Sequence, residues 1–334
     1  MLGYILRRFL QIIPLMILLS ILIFFIIQLP PGDYVTMLVQ NLKRQGTEMA
    51  QSHIDSLLRL YNLDKPLYVQ YLTWIRNILF KGDFGYSMLH GRPVMEIVGE
   101  RMNMTIILSI LTLLFTWIVS IPIGIYSATH QYSFFDHLFT FVGFMGISVP
   151  GFLIALVVLY LVFANTGVAI SGLFAPEYIN APWTWAKILD GAKHIWVPMV
   201  IIGLSSTASL IRVMRNMLLD ELRKQYVIIA RSKGVAEGKL LLKYPVRLAI
   251  NPLISTIGWI LPGIISGEAL VSIVLNMPTM GPLLLTATLS QDMYLAGSFI
   301  LVTSTLTVFG TLISDILLAW LDPRIRFGGV TEEV

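Results

Sequence analysis

The sequence predicts an all-α polytopic membrane protein with six transmembrane helices, and three observations carry that prediction. Of the 334 residues, 56% are apolar and only 13% are charged, where a soluble domain carries about a quarter charged. Uncharged apolar runs recur at the length of about 20 residues that a helix needs to cross roughly 30 Å of hydrocarbon. The basic residues concentrate in one late stretch between such runs. This composition excludes a water-soluble enzyme, a disordered regulator and a disulfide-stapled domain. With no cysteine in the chain, thiolate chemistry and Cys-ligated metals are excluded as well. The net charge is only +4, and a nucleic-acid face needs a basic surface on a soluble body, whereas long uncharged runs dominate this chain.

The first predicted span is Phe9–Leu29, preceded by Arg7 and Arg8 and interrupted only by Pro14. It exceeds the apolar core of about 7–15 residues found in a cleaved signal, and no small-residue cleavage site follows. Pro30-Pro31-Gly32-Asp33 reads instead as an exit turn. Residues 1–29 are therefore expected to form a terminal segment with a retained span.

Residues 30–103 are expected to form an extracytoplasmic lobe. Tyr61, Tyr68, Tyr71, Trp74, Phe80, Phe84 and Tyr86 supply aromatic material for an ordered body. Leu72, Ile75 and Leu79 recur at helical spacing within Val69–Leu79, and Gly82-Asp83-Phe84-Gly85 reads as the turn that ends the helix. The lobe is either a folded cap or a docking and gating surface.

Residues 104–334 hold the other five predicted spans, near Met104–Tyr126, Leu138–Phe163, Ile195–Ile211, Pro252–Leu275 and Ala296–Leu321. Lys and Arg favour the cytoplasmic side, and residues 212–250 carry nine of them against three acids. With Arg7 and Arg8 at one end and Arg324 and Arg326 at the other, the prediction is N-in and C-in.

The 212–250 segment is too long for a tight turn. Glu221–Lys233 reads as a helix with Leu222, Tyr226 and Ile229 on one face. Arg231 and Lys233 sit in its last turn, where cations suit the helix dipole, and Gly234 stops it. A second helix is expected over Ala236–Lys243, before Pro245. Two short helices meeting at a glycine make a knob for another protein's groove; the alternative is a solvated basic loop beside anionic lipid.

Two acids stand in or at the ends of spans. Glu268, flanked by Gly263 and Gly267, is a candidate for the transport pathway, because an intramembrane carboxylate costs roughly 3 kcal/mol and faces a cavity or a partner; the alternative is a structural pairing. Asp315 reads as a structural pairing or a wet interface. Gly143, Gly146, Pro150 and Gly151, with Gly258, Pro262 and Gly263, mark either gates or close helix packing, and packing is favoured. The five histidines (His53, His90, His130, His137 and His194) show no ligand spacing, so neither a metal nor a cofactor is expected.

The loop run Gln225-Tyr226-Val227-Ile228-Ile229-Ala230-Arg231-Ser232-Lys233-Gly234, followed by Pro245 and Asn251-Pro252, resembles the cytoplasmic coupling loop of ABC importer permeases, within them the oligopeptide/dipeptide class. The similarity extends nearly end to end. It takes in Tyr4 to Arg8, Pro31-Gly32-Asp33, Leu63-Asp64-Lys65-Pro66-Leu67 with Gln70-Tyr71 and Trp74, and Gly82-Asp83-Phe84-Gly85. It continues through Ser148-Val149-Pro150 with Phe152 and closes on Leu321-Asp322-Pro323-Arg324.

The resemblance implies a permease subunit in the inner membrane of a prokaryote. It would work with a homologous second permease, two ABC ATPase subunits and an extracytoplasmic substrate-binding protein. It implies an ATPase-coupling site at Tyr226, Ala230, Arg231, Lys233 and Gly234. The cargo would be oligopeptides or dipeptides, with oligosaccharides the alternative inside the same machine. The chain itself has no G-x-x-x-x-G-K-[ST] phosphate loop; Gly238-Lys239-Leu240 lacks the upstream glycine and the hydroxyl. It is therefore expected to transport without being an enzyme, with ATP hydrolysed by partners. The rival from another class is a self-sufficient secondary transporter, which predicts inverted repeats and paired intramembrane ions; neither is legible.

Overall fold

The structure is a computed structural model. It describes residues 2–46, 51–60, 62–167, 172–178, 181–255 and 257–321, so Asp322, Pro323, Arg324 and Arg326, used above for the terminal motif and the orientation, lie outside the described residues. In chain order the helices begin with α1 (Leu2–Gln28), α2 (Tyr34–Arg44), α3 (Gln51–Leu60) and α4 (Leu67–Lys81). A two-residue antiparallel pair follows, β1 (Tyr86–Ser87) with β2 (Arg92–Pro93). Then come α5 (Val94–Thr129), α6 (Phe134–Ser148), α7 (Gly151–Thr166) and α8 (Trp185–Leu222). Four short helices follow, α9 (Gln225–Ser232), α10 (Glu237–Lys243), α11 (Pro245–Ala249) and α12 (Asn251–Ser255). The chain closes with α13 (Ile257–Val274), α14 (Met280–Leu289) and α15 (Met293–Leu321). The all-α, membrane-embedded class is as expected.

Among the described residues, α1, α5, α8 and α15 are each long and apolar enough to cross a membrane. The stretch read as a third span, Leu138–Phe163, is not one straight helix. It is the pair α6 and α7, bent by 101° at the intervening Val149-Pro150. The cause is local: the ring of Pro150 drives Val149 into an extended conformation (φ −101°, ψ 124°) and removes an amide donor from the ladder. The short fourth span, Ile195–Ile211, is the middle of α8, whose 38 residues extend for about 57 Å. Arg212 and Arg215 therefore stand on a helix and not in the loop. The fifth stretch, Pro252–Leu275, is divided between α12 and α13; the side chains of Gly258, Pro262 and Gly263 lie outside the described residues.

The chain divides into two compact units. The first comprises Met1–Phe9, Thr105–Pro278 and Thr307–Val334, as far as these are described. Its centre is a close contact of α6 on α8: a Cβ at Gly146 would stand 2.7 Å from the Leu204 side chain, and one at Gly143 would stand 3.3 Å from that of Ala208. The packing reading of these two glycines is thus met. Thr112 and Thr116 of α5, both buried, face Gly203 of α8 in the same way. Arg8 pairs with Asp315 at 3.4 Å, and Ser314 donates to the Ile254 carbonyl.

The second unit comprises Leu10–Met104 and Thr279–Leu306. Val94, Ile97, Val98, Met280, Leu283, Leu295 and Phe299 form its core. Asp292 is fully buried and accepts from the Ser87 hydroxyl (2.6 Å) and from the Leu89 and Leu295 amides. It so caps α15 and anchors the β1–β2 turn. α4 ends at Gly82 in the left-handed conformation, as expected. Its inward face is Gln70 and Trp74, however; Leu72 and Leu79 are exposed. The helix is apolar nearly all round, so spacing alone did not select the buried face.

Candidate functional site

The basic loop folds into the expected pair of short helices, with a different start. α8 continues through Glu221 to Leu222, and Arg223-Lys224 breaks the chain before α9 begins at Gln225. Leu222, Tyr226 and Ile229 therefore do not share one helix. The residue α9 buries is Val227, fully enclosed, while Ile228 and Ile229 are each 53% exposed. Tyr226 lies half-buried, and its hydroxyl donates to Glu221 Oε2 at 2.5 Å, tying α9 back to the end of α8. Burial, together with the Glu221 carboxylate, pushes the Tyr226 phenol well above its ordinary value.

α9 ends where the sequence says it should. Gly234 takes φ +75°, the Val235 amide reaches back to the Ala230 carbonyl and the Gly234 amide to that of Arg231. This is the paired closing pattern of a left-handed C-terminal stop. No atom lies within 4 Å of a Cβ built on Gly234, so backbone conformation is what demands glycine there. α10 starts at Glu237, with Ala236 as its cap.

Arg231 holds Glu237 through two hydrogen bonds, 2.5 and 3.1 Å long. The Arg231 hydrogen bonds keep the Glu237 carboxyl below the ordinary range, and the carboxylate raises Arg231 in turn. Both groups are exposed, so the bridge adds little stability, but its forked geometry sets how α9 meets α10. Lys233 is exposed and closes α9 as its C-cap; Ala230 lies half-buried in the last turn.

The knob is firmly rooted. Leu240 of α10 is fully buried. Val246, Ala249 and Leu253 pack with Leu210, Met214 and Leu218 of α8 and with Ala128 of α5 in one apolar cluster. A second tie lies on the same helix. Arg215 of α8 donates from Nε and Nη2 to the two oxygens of Asp136, each at 3.2 Å. Asp136 is buried at the start of α6, where it also accepts the Tyr132 amide. Sequence reasoning missed this pair. Its one visible signal is a lone acid between two uncharged runs.

Ile228, Ile229, Leu242 and Leu248 are exposed on α9, α10 and α11, as are Lys233, Lys239, Lys243 and Arg247 on the same stretch. Such a mixture of exposed apolar and basic side chains suits an interaction surface. Tyr226, Ala230, Arg231, Lys233 and Gly234 are thus brought together on one helix and its stop. Glu268 stands apart from them, on α13. It is 1% exposed and accepts a hydrogen bond from Thr105 Oγ1 at 3.3 Å.

Residues 120–327 match the family described as the binding-protein-dependent transport system inner membrane component, and residues 1–109 match the N-terminal region of such membrane components. The chain is 32% identical to the oligopeptide transport system permease protein AppB of Bacillus subtilis, over 98% of this chain and 100% of that protein. It is 31% identical to a putative peptide permease protein of Brucella suis, over 98% and 99% of the two chains. It is 28% identical to the dipeptide transport system permease protein DppB of Alkalihalophilus pseudofirmus, over 98% and 100%.

Proposed function

The chain belongs to the family of binding-protein-dependent transport system inner membrane components, and from that premise we propose that it is the permease subunit of an ATP-driven importer of peptides. The names of its relatives, an oligopeptide and a dipeptide permease protein among them, favour peptide over oligosaccharide cargo. The observation that carries the mechanism is the rooted knob of α9 and α10, with its exposed apolar and basic face.

In this reading six spans cross the inner membrane of a prokaryote with both termini inside. The chain pairs with a homologous second permease, two ABC ATPase subunits seat on the knobs, and an extracytoplasmic binding protein delivers the cargo. Closure of the ATPases moves α9 and α10 as one rigid element. The Tyr226–Glu221 bond and the apolar cluster pass that movement to α8 and α5, switching the spans between two packings. Arg231, Lys233 and Gly234 shape the receiving surface, with Ala230 in the last turn behind it. Glu268, a buried carboxylate on α13, is the residue assigned to the pathway, where it becomes accessible in one of the two packings.

Purification from the native membrane in mild detergent, with mass spectrometry of what accompanies the chain, tests the proposal. Recovery of a second permease and ATPase subunits, and ATP-dependent peptide uptake once a binding protein is added, is the expected result. A chain recovered alone that transports without ATP would overturn it in favour of a secondary transporter.

A further inference from the structure

We infer that α4 is not part of a water-exposed lobe but is seated in the lipid of the outer leaflet, with acyl chains covering the face it turns away from α1. Three contacts fix its place on α1. The Tyr71 and Ser20 hydroxyls share a hydrogen bond at 2.9 Å, Phe24 packs its ring against those of Tyr71 and Trp74, and Gln28 Nε2 donates to Gln70 Oε1. Ser20 to Gln28 covers about 12 Å of helix axis, all of it inside the uncharged run that ends at Leu29.

On this same stretch of α1, Leu22, Phe25 and Ile26 are exposed. An apolar span that leaves such side chains uncovered turns them to the acyl chains around it, and α4 shares its level. The outer face of α4 has the matching chemistry: Tyr68, Leu72, Leu79 and Phe80 are exposed, Leu72 at 61% and Phe80 at 82%. The polar exceptions are Arg76 on that face and Lys81 at its end. Both have stems long enough to bring a cation to the phosphates while the stem lies along acyl chains. A helix with one face held on α1, an outer face that is apolar but for Arg76, and Lys81 at its end suits the boundary between headgroups and acyl chains, where interfacial helices sink their apolar face about 5–10 Å. The 30–103 segment would then be a lobe whose floor is anchored in the membrane, which fixes the entrance end of α1 relative to the bilayer.

The chain has no cysteine, so single thiols report without background. Bimane on Leu72→Cys and, separately, on Phe80→Cys is measured in the full-length chain in phosphatidylethanolamine and phosphatidylglycerol vesicles, with brominated lipid and with aqueous iodide. Leu22→Cys on α1 is the lipid reference, and checks independently that α1 crosses the membrane; His90→Cys in the β turn is the aqueous reference. Brominated lipid should quench both α4 positions to the extent that it quenches Leu22→Cys, with iodide ineffective. Quenching of both by iodide, while Leu22→Cys keeps its lipid signature, would overturn the inference. So would protection from iodide that arises only when a binding protein or second permease is added, which would make the face a protein-docking surface.

Discussion

The Tyr226 hydroxyl donates to the Glu221 carboxylate at 2.5 Å, and with this one bond the first helix of the knob is fastened to the end of α8, the 38-residue helix. Val227 and Leu240, both fully buried, add apolar anchorage on either side of the stop at Gly234. The knob is therefore tied to α8 by packing as well as by a hydrogen bond, which a loop merely solvated beside lipid would lack.

Tyr226→Phe should loosen that fastening without unfolding the chain. A hydrogen bond of this kind contributes about 1 kcal/mol, so uptake is expected to fall roughly fivefold while ATP hydrolysis by the assembled complex persists. The raised phenol value gives the pH dependence its sign. The contribution is fully present below the ordinary tyrosine value and is lost only as pH rises through the still higher folded one. Uptake by wild type and variant, compared from neutral to mildly alkaline pH, should thus keep a constant ratio.

Gly234→Val should abolish transport with insertion intact, because a β-branched residue at φ +75° is strained. Gly234→Ala bears about 1–2 kcal/mol of left-handed strain and should be intermediate, and Gly234→Asn should be the mildest. Uptake measured beside membrane-inserted protein separates the two effects. Wild-type uptake by Gly234→Val would remove the knob from the mechanism.

Arg231→Glu should impair uptake by setting two carboxylates against each other at the α9–α10 junction, and the exchange Arg231→Glu with Glu237→Arg should restore much of it. Failure of the exchange to rescue, with both chains equally expressed, would mean that Arg231 acts through another partner and not through Glu237.

Asp136→Ala strips Arg215 of its buried partner. The cost is about 2 kcal/mol, to be read as a lower unfolding temperature of the purified complex. An unchanged transition would show that the pair does not hold α6 to α8.

Glu268→Gln keeps an acceptor for Thr105 and removes the charge. Assembly should be unaffected and uptake altered; wild-type uptake would leave Glu268 a structural residue.

Much of this architecture is legible from residue order. The uncharged runs locate α1, α5, α8 and α15, and Gly82 and Gly234 end their helices as glycines with left-handed backbones do. Pro150 carries the bend between α6 and α7 in plain sight, yet hydropathy runs straight across it and gives no sign of the 101° break. α9 starts at Gln225 and not at Glu221 as spacing suggests, because neither Arg223 nor Lys224 breaks a helix by propensity; Tyr226 and Val227 are anchored on the body just beyond the break. Asp136 and Arg215 meet across 79 residues, and no local pattern encodes such a distance. For α4, a helix apolar on both faces gives no preferred inside until α1 is beside it.

The most direct test of the knob as the receiver of force is a crosslink from Ile229→Cys, the sole thiol in an otherwise cysteine-free chain, using a short bifunctional reagent on the assembled transporter in its membrane. A covalent adduct between this chain and an ATPase subunit, with a yield that changes when ATP is bound, is the predicted result. A complex that transports normally, yields no ATPase adduct from Ile229→Cys and forms one from a position outside α9 and α10 would contradict it.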